Sequence, residues 1–358
     1  MSEVRPTAVV CLPALAFPEN EFTRETVKDT ARRVLADHPH LASVLRIIDN
    51  TGIQKRYLVK PIEETVVPTG FGERNAKFIE VSMRLGEQAA RAALDNAGLA
   101  AKDVDFIITT SCTGIMIPSL DAHLITKMGF LPRTKRLPIT ELGCAAGTVA
   151  LSRARELIAA GAAKNVLIVA HELCSLTYQP KDMTMQALVG ALLFGDGVAA
   201  VVVRGDGLHQ GPGLQLESNE SFLFADSWGY MGFDIRDTGL HLILDKGIPN
   251  AVERQIAPVL LGFLDSQKIA KEELDYFCLH PGGKKVIDEI VRVLGLKDQD
   301  VQASRDCLAE VGNLSSASIL VVIKNTFERY APKAGERGLI VGFGPGFSCE
   351  MLLTSWLG

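Results

Sequence analysis

Unbroken apolar runs, with no polar face, mark the centre of this chain. Phe106 to Thr110, Val166 to Ala170 and Val198 to Val203 show no alternation, which predicts strands of a parallel-type sheet covered on both faces. Val9 to Phe17 predicts a first strand, stopped by Pro18. Helical spacing predicts Thr23–Leu35 with Thr23 as N-cap, then Ser43–Asn50, Asn75–Ala97 closed by Gly98, and Asp121–Met128. Leu137–Leu142 predicts a short strand ended by Gly143, and Ala145–Ala160 a helix of small residues with Cys144 at its head. Strands alternating with helices indicate an α/β fold.

The second part of the chain repeats the first. Glu141-Leu142-Gly143-Cys144 and Glu310-Val311-Gly312-Asn313 share one pattern, and an apolar helix follows each. Asp103–Ile108 precedes the first copy and Glu273–Cys278 the second, while NVLIV (165–169) and RGLIV (337–341) follow. Ser111 lies 33 residues before Cys144, and His280 lies 33 residues before Asn313. Such paired offsets indicate a duplicated strand–helix unit. Two halves related by a pseudo-twofold axis would bring Cys144, His280 and Asn313 together at strand ends. The linker-like Gly205–Gly213 divides the chain into halves 1–204 and 205–358. In the second, Leu214–Leu223 and Gly229–Asp234 predict an antiparallel insertion. Asn250–Leu264 predicts a helix with Pro258 as kink or boundary, Lys284–Leu294 a further helix, and Gly338–Leu357 two strands about the turn Gly342–Gly346.

Composition narrows the function. A hydrophobic content of 47% in 358 residues allows one large domain or two intimately packed halves. No apolar run is long enough to span a membrane, and no basic-then-apolar leader opens the sequence. The seven cysteines lack CxxC spacing or a Cys/His cluster, so neither a disulfide framework nor a zinc site is expected; a reduced, cytoplasmic protein is. A net charge of −5 argues against a nucleic-acid partner.

Candidate chemistry centres on Cys144. At a helix start, unpaired N–H groups and the positive dipole end favour thiolate, although a Cys before alanines also suits plain packing. His280, between a strand and Gly282-Gly283, reads as poised rather than buried. Glu172–Asp182 reads as a surface or cavity-lining loop, Gly195-Asp196-Gly197 as a tight turn, and Cys349 as a packed residue rather than a second catalytic thiol. Arg46, Lys55 and Arg56 suit either a phosphate or solvent.

LGCAAG around Cys144, LHPGG around His280, VGNLSS around Asn313, ALLFGDG ending at Gly197 and the GFGPG turn together resemble the chalcone synthase family, the type III polyketide synthases of the thiolase fold. The resemblance runs essentially end to end, and TSCTG with CSLTYQP is closer to bacterial members. It implies thiolase-like duplicated βαβ halves in a layered α-β-α-β-α core. It also implies Cys144 as nucleophile with His280 and Asn313, acyl-CoA starter and malonyl-CoA as substrates, no cofactor beyond these coenzyme A thioesters, and a homodimer. Phe194 and Gly190 match positions at the cavity mouth and wall. Cys112, Cys174, Thr177 and Ser315 match positions that shape starter choice and chain length. Ile117, before a proline commonly cis, matches the residue that reaches the dimer mate. Leu242 stands where the family has a second gatekeeper phenylalanine. Arg46 is kept near coenzyme A, whereas Ser43 and Asn50 replace neighbouring lysines. The smaller Leu242 favours a fatty acyl starter giving a pyrone or resorcinol; the alternatives are a malonyl-only tetrahydroxynaphthalene or phloroglucinol-type synthase and a ketoacyl-carrier-protein synthase III-like enzyme.

Overall fold

The computed structural model describes residues 7–248 and 252–358. Its main sheet has ten strands: β1 (Ala8–Val10), β2 (Ala14–Ala16), β3 (Phe106–Thr110), β4 (Lys135–Ile139), β5 (Asn165–Leu173), β6 (Asp196–Gly205), β7 (Gly213–Leu223), β8 (Tyr276–Leu279), β9 (Arg337–Gly344) and β10 (Ser348–Leu357). The order is β8-β9-β10-β7-β1-β6-β5-β3-β4, with β2 paired to β6. In the first half β3 runs parallel to β4 and β5, and β6 is antiparallel to β5; in the second β8 is parallel to β9, and β10 antiparallel. The two half-sheets join through β1, which pairs with both β6 and β7.

Six helices cover these strands: α1 (Phe71–Asn96), α2 (Leu120–Met128), α3 (Ala146–Ala159), α4 (Ala257–Ser266), α5 (Lys284–Leu294) and α6 (Ser318–Arg329). The period of two along each strand sorts its side chains between layers. Leu167, Val169, Ala200 and Val202 pack on α1 through Phe78, Val81, Leu85 and Ala89. Ile168, Val201 and Val203 point the other way, into a central layer with Leu151, Ala154, Ile319 and Ile323, which Ile340 and Leu352 close from the second half-sheet. Leu339, Val341 and Met351 face outward onto Leu260, Phe263, Ile287 and Ile290. The result is the α-β-α-β-α stack, a thiolase-like α/β fold. At its centre Gly147 allows α3 to sit on the turn before α6, because a Cβ there would overlap Ser316 O.

Several elements depart from the expected spans. Pro13 splits the first strand into β1 and β2. The strand expected over Leu137–Leu142 ends at Ile139, because Gly143 (φ +48) opens a tight turn, Gly143–Ala145, that carries Cys144. Leu214–Leu223 is no insertion: its first half is buried and it pairs with β10 in the main sheet. The outlying hairpin is instead Met231–Arg236 with Gly239–Leu244. Of the helix expected over Asn250–Leu264, residues 249–251 lie outside the described residues; Val252–Ile256 forms a wider turn before α4, which holds Pro258 in its first turn. Glu172 is the buried penultimate residue of β5, not part of a loop. The helix Met185–Leu193 was not anticipated; Gln186 is its one polar residue, so it has no polar face to set off a helical stripe. Thr23 does cap Arg24–Val34, its Oγ1 accepting from Thr26 N at 3.3 Å. Among the described residues no helix is long and apolar enough to cross a membrane.

Candidate active site

Cys144 opens on a cavity of about 640 Å³. Strand ends build its floor: Ser111 to Gly114 after β3, Thr140 to Cys144 after β4, and Cys174 to Thr177 after β5. Ser315 comes from the turn before α6, the pseudo-symmetric counterpart of the Cys144 turn. Its Oγ lies 3.5 Å from Cys144 Sγ and 3.3 Å from Cys112 Sγ, so one hydroxyl joins two thiols. Ser315 adopts φ +49, a left-handed conformation disfavoured for a residue with a Cβ. Its N–H donates to Asn313 Oδ1 at 2.8 Å, and Ser318 Oγ lies 3.3 Å from the same oxygen. Those bonds hold the turn, and they leave the Asn313 amide nitrogen as the end without an acceptor among the described residues.

Glu172 fastens the two halves beneath this floor. Oε1 accepts from Ser316 Oγ at 2.5 Å and from Ser316 N at 3.3 Å, while Oε2 accepts from Thr113 Oγ1 at 2.8 Å, Cys112 N at 3.2 Å and Ser111 Oγ at 3.3 Å. Burial still pushes this carboxyl above its usual range, against the pull of those donors, Ser316 first. Burial also pushes the Cys144 thiol up to about 12; the Ser315 bond lowers it less, and Glu172 raises it further. The expected thiolate bias of a helix start is therefore outweighed by desolvation. The Cys112 and Cys174 thiols are pushed well up, first by burial and then by Glu172.

His280 corrects a second expectation. It is buried, 2% exposed, at the end of β8, where its backbone N–H donates to Val341 O at 2.8 Å. Burial lowers its pKa to about 4, so the ring is neutral, and both ring nitrogens lack a partner among the described residues. Asn313 is tied to the backbone on both sides of Phe194: its N–H donates to Leu193 O and its carbonyl accepts from Gly195 N, each at 3.0 Å. Neither His280 nor Asn313 forms part of the cavity wall, and no hydrogen bond joins either side chain to Cys144.

The N-terminal domain description of the chalcone and stilbene synthases matches residues 3–207, and the C-terminal one matches 213–357. A 1,3,6,8-tetrahydroxynaphthalene synthase of Streptomyces griseus is 41% identical over 98% of this chain and 93% of its own length. A phloroglucinol synthase of Pseudomonas fluorescens is 39% identical over 98% of this chain and 99% of its own. The crystal structure of 1,3,6,8-tetrahydroxynaphthalene synthase from Streptomyces coelicolor A3(2), a bacterial type III polyketide synthase, superposes with TM-score 0.93 at 40% identity, covering 98% of this chain and 99% of that one. The chain belongs to the chalcone and stilbene synthase family. It is a type III polyketide synthase, an acyltransferase of the decarboxylative Claisen class.

The remaining expected site residues of this synthase divide in two. Phe194, Leu242, Gly190, Cys112, Cys174, Thr177 and Ser315 all line the cavity. Leu242, on the hairpin, lies over Gly190 of the Met185–Leu193 helix; a Cβ on residue 190 would strike it, so glycine makes room for leucine. Gln186 Nε2 donates to Leu242 O and locks hairpin to helix. Ile117 and Arg46 do not line the cavity. Ile117 precedes a cis proline on the surface and is 90% exposed; Arg46 is exposed on the helix Leu41–Asn50. Sequence reasoning missed Glu172, whose signal was a lone carboxylate near the end of the apolar strand NVLIVAHEL. It also missed the part of the cavity lined by the helices Arg24–Val34 and Met185–Leu193.

Proposed function

We propose that this synthase carries its growing chain as a thioester on Cys144 and draws its extender units from malonyl-CoA. Residues 1–204 contribute the thiol, and residues 205–358 contribute His280 and Asn313. The Cys144 Sγ–H bond breaks with its proton passing to the neutral, unpartnered ring of His280, and the sulfur forms a new bond to the acyl carbon as the coenzyme A thiolate leaves. His280 then gives that proton to the departing thiolate and is neutral again. Decarboxylation of a malonyl thioester places an electron pair on an enolate oxygen. The N–H of neutral His280 and the amide N–H of Asn313 are donors suited to that oxygen, and neither is acidic enough to protonate the carbanion. Attack on the acyl carbon forms the C–C bond and returns the Cys144 thiolate.

The observation that carries this reading is the cavity of about 640 Å³ with Cys144 in its wall and a predominantly aliphatic lining around it. An aliphatic acyl starter, extended and then cyclised to a pyrone or resorcinol, fits that lining and the leucine at position 242. A malonyl-only route is the second reading, supported by the similarity to tetrahydroxynaphthalene and phloroglucinol synthases. Mass spectrometry of products from malonyl-CoA with acetyl-, hexanoyl- and lauroyl-CoA separates them. Alkyl-bearing products support the first; one product, unchanged whichever starter is added, supports the second.

The synthase is further proposed to act as a cytoplasmic homodimer with Ile117 in its interface, since an isoleucine 90% exposed beside a proline is an apolar surface in want of cover. Exposed Arg46, with no side-chain partner among the described residues, is offered to the coenzyme A phosphates.

A further inference from the structure

The hairpin Met231–Arg236 with Gly239–Leu244 closes one side of the cavity, to which it gives Met231, Phe233, Ile235, Leu240 and Leu242. It is a two-stranded sheet apart from the main one, so each strand has an edge with no strand beside it among the described residues. Such a ribbon is marginally stable by itself. Its base is fixed in the core: Asp245 N donates to Tyr230 O at 2.8 Å, and Tyr230, Met231 and Leu244 pack on the outer layer of the second half. From the base to the tip, side chains stand in for the missing strand. Carbonyls two residues apart on a strand point the same way, and those of Thr238, Leu240 and Leu242 each meet a donor from the body of the protein. Arg74 Nη2, from α1, donates to Thr238 O at 2.5 Å; Gln179 Nε2 donates to Leu240 O at 3.0 Å, and Gln186 Nε2 to Leu242 O. Arg74 is itself held, 6% exposed, with Nε on Leu176 O at 2.9 Å and Nη1 on Thr69 O. Gly239 (φ +110) leaves it room, since a Cβ there would lie 2.9 Å from Nη2.

We propose that Gln179 and Gln186, with Arg74 holding the tip, are positioning residues for chain extension: they fix the height of the hairpin over the cavity and so set the ketide number at which growth stops. They act through Leu240 and Leu242, whose backbone they hold and whose side chains face the growing chain. A hairpin freed of one donor pivots outward on its fixed base, and the wider cavity admits a further condensation. Loss of one hydrogen bond of ordinary strength shifts the balance between closed and raised positions about fivefold. The inference rests on the condensing activity of the synthase and holds whichever thiol carries the chain.

Products released from malonyl-CoA, with and without an added acyl-CoA, are sorted by ketide number in a mass spectrometer. Gln179→Leu and Gln186→Leu keep the bulk of the side chain and lose its donor. In each, the share of products longer than the wild-type limit is expected to rise about fivefold. Gln179→Lys and Gln186→Lys restore an N–H donor on a different stem and are expected to bring the limit back toward wild type. If a leucine variant fails to fold, Gln→Asn at the same position, whose shorter amide falls short of the carbonyl, gives the same readout. A wild-type ketide distribution in the variants that lose the bond overturns the inference, even where their stability or turnover falls. So do lysine variants whose products lie no closer to wild type than those of the leucine variants.

Discussion

Replacing Glu172 with Gln tests whether one buried carboxylate holds the two sides of the site in register. Its oxygens accept from six donors, two on Ser316, two on Cys112 (N and the more distant Sγ), and one each on Ser111 and Thr113. Glutamine keeps one oxygen and presents an NH₂ in place of the other. The serine and threonine hydroxyls can rotate to accept from it. A backbone N–H cannot, so whichever way the amide turns, either Ser316 N or Cys112 N loses its acceptor. A buried donor left unpaired costs about 1–3 kcal/mol, and the surviving bonds lose their charge assistance. Relief of the desolvation that raises this carboxyl's pKa offsets part of that loss. The net expectation is about 2 kcal/mol of destabilisation, read as a lowered urea midpoint at unchanged m-value. Ser315, adjacent to Ser316, would then lose its position between Cys144 and Cys112, and Cys144 acylation should slow at least tenfold. A variant within about 0.5 kcal/mol of wild type that loads Cys144 at the normal rate would refute the reasoning.

Leu242→Phe should narrow the passage over Gly190 and lower the lauroyl-to-acetyl ratio of kcat/KM at least fivefold; a wild type with no long-chain preference would also defeat this expectation. His171 is buried against Phe78 with Nδ1 3.1 Å from Ser82 Oγ, and burial lowers its pKa to about 3. Its unfolded form therefore binds the proton first, and the stability it contributes is complete above the ordinary histidine value and lost as pH falls through 6.5 toward 3. Between pH 7 and pH 5 wild type should lose about 2 kcal/mol more than His171→Gln, at about 1.4 kcal/mol per pKa unit; parallel urea-midpoint profiles would contradict the assignment. Ile117→Asp should shift sedimentation from dimer to monomer at micromolar concentration, and a wild type already monomeric there would count against the proposed interface.

The layers were legible because buried strands must be continuously apolar. Val166–Ala170 and Val198–Val203 could be placed without knowing their neighbours, and Lys284–Leu294, with an apolar face and Gly295 beyond its end, was found at its observed bounds. The pattern shared by Cys144 and Asn313 matched the two turns only loosely: Cys144 lies within the turn before α3, whereas Asn313 precedes the equivalent turn Ser315–Ala317 before α6. What failed depended on tertiary surroundings. β7 has the exposed end of an insertion strand, yet β10 and β1 pair with it. Met185–Leu193 is apolar but for Gln186, and it faces the core on one side and the cavity on another. Placement at a helix start suggested a thiolate at Cys144, whereas burial, invisible in a linear pattern, sets the opposite direction. His280 was read as poised because glycines follow it, but Val341 and its neighbours enclose it.

The central claim is that Cys144 carries the acyl chain. The most direct test is intact-protein and peptide mass spectrometry after brief incubation with an acyl-CoA, before malonyl-CoA is added. A single acyl adduct on the peptide containing Cys144, extended by two-carbon ketide units once malonyl-CoA is supplied and missing from Cys144→Ala, is the predicted result. An adduct on Cys112, Cys174 or Cys349 in place of Cys144, or full-length polyketide from Cys144→Ala, would contradict the account.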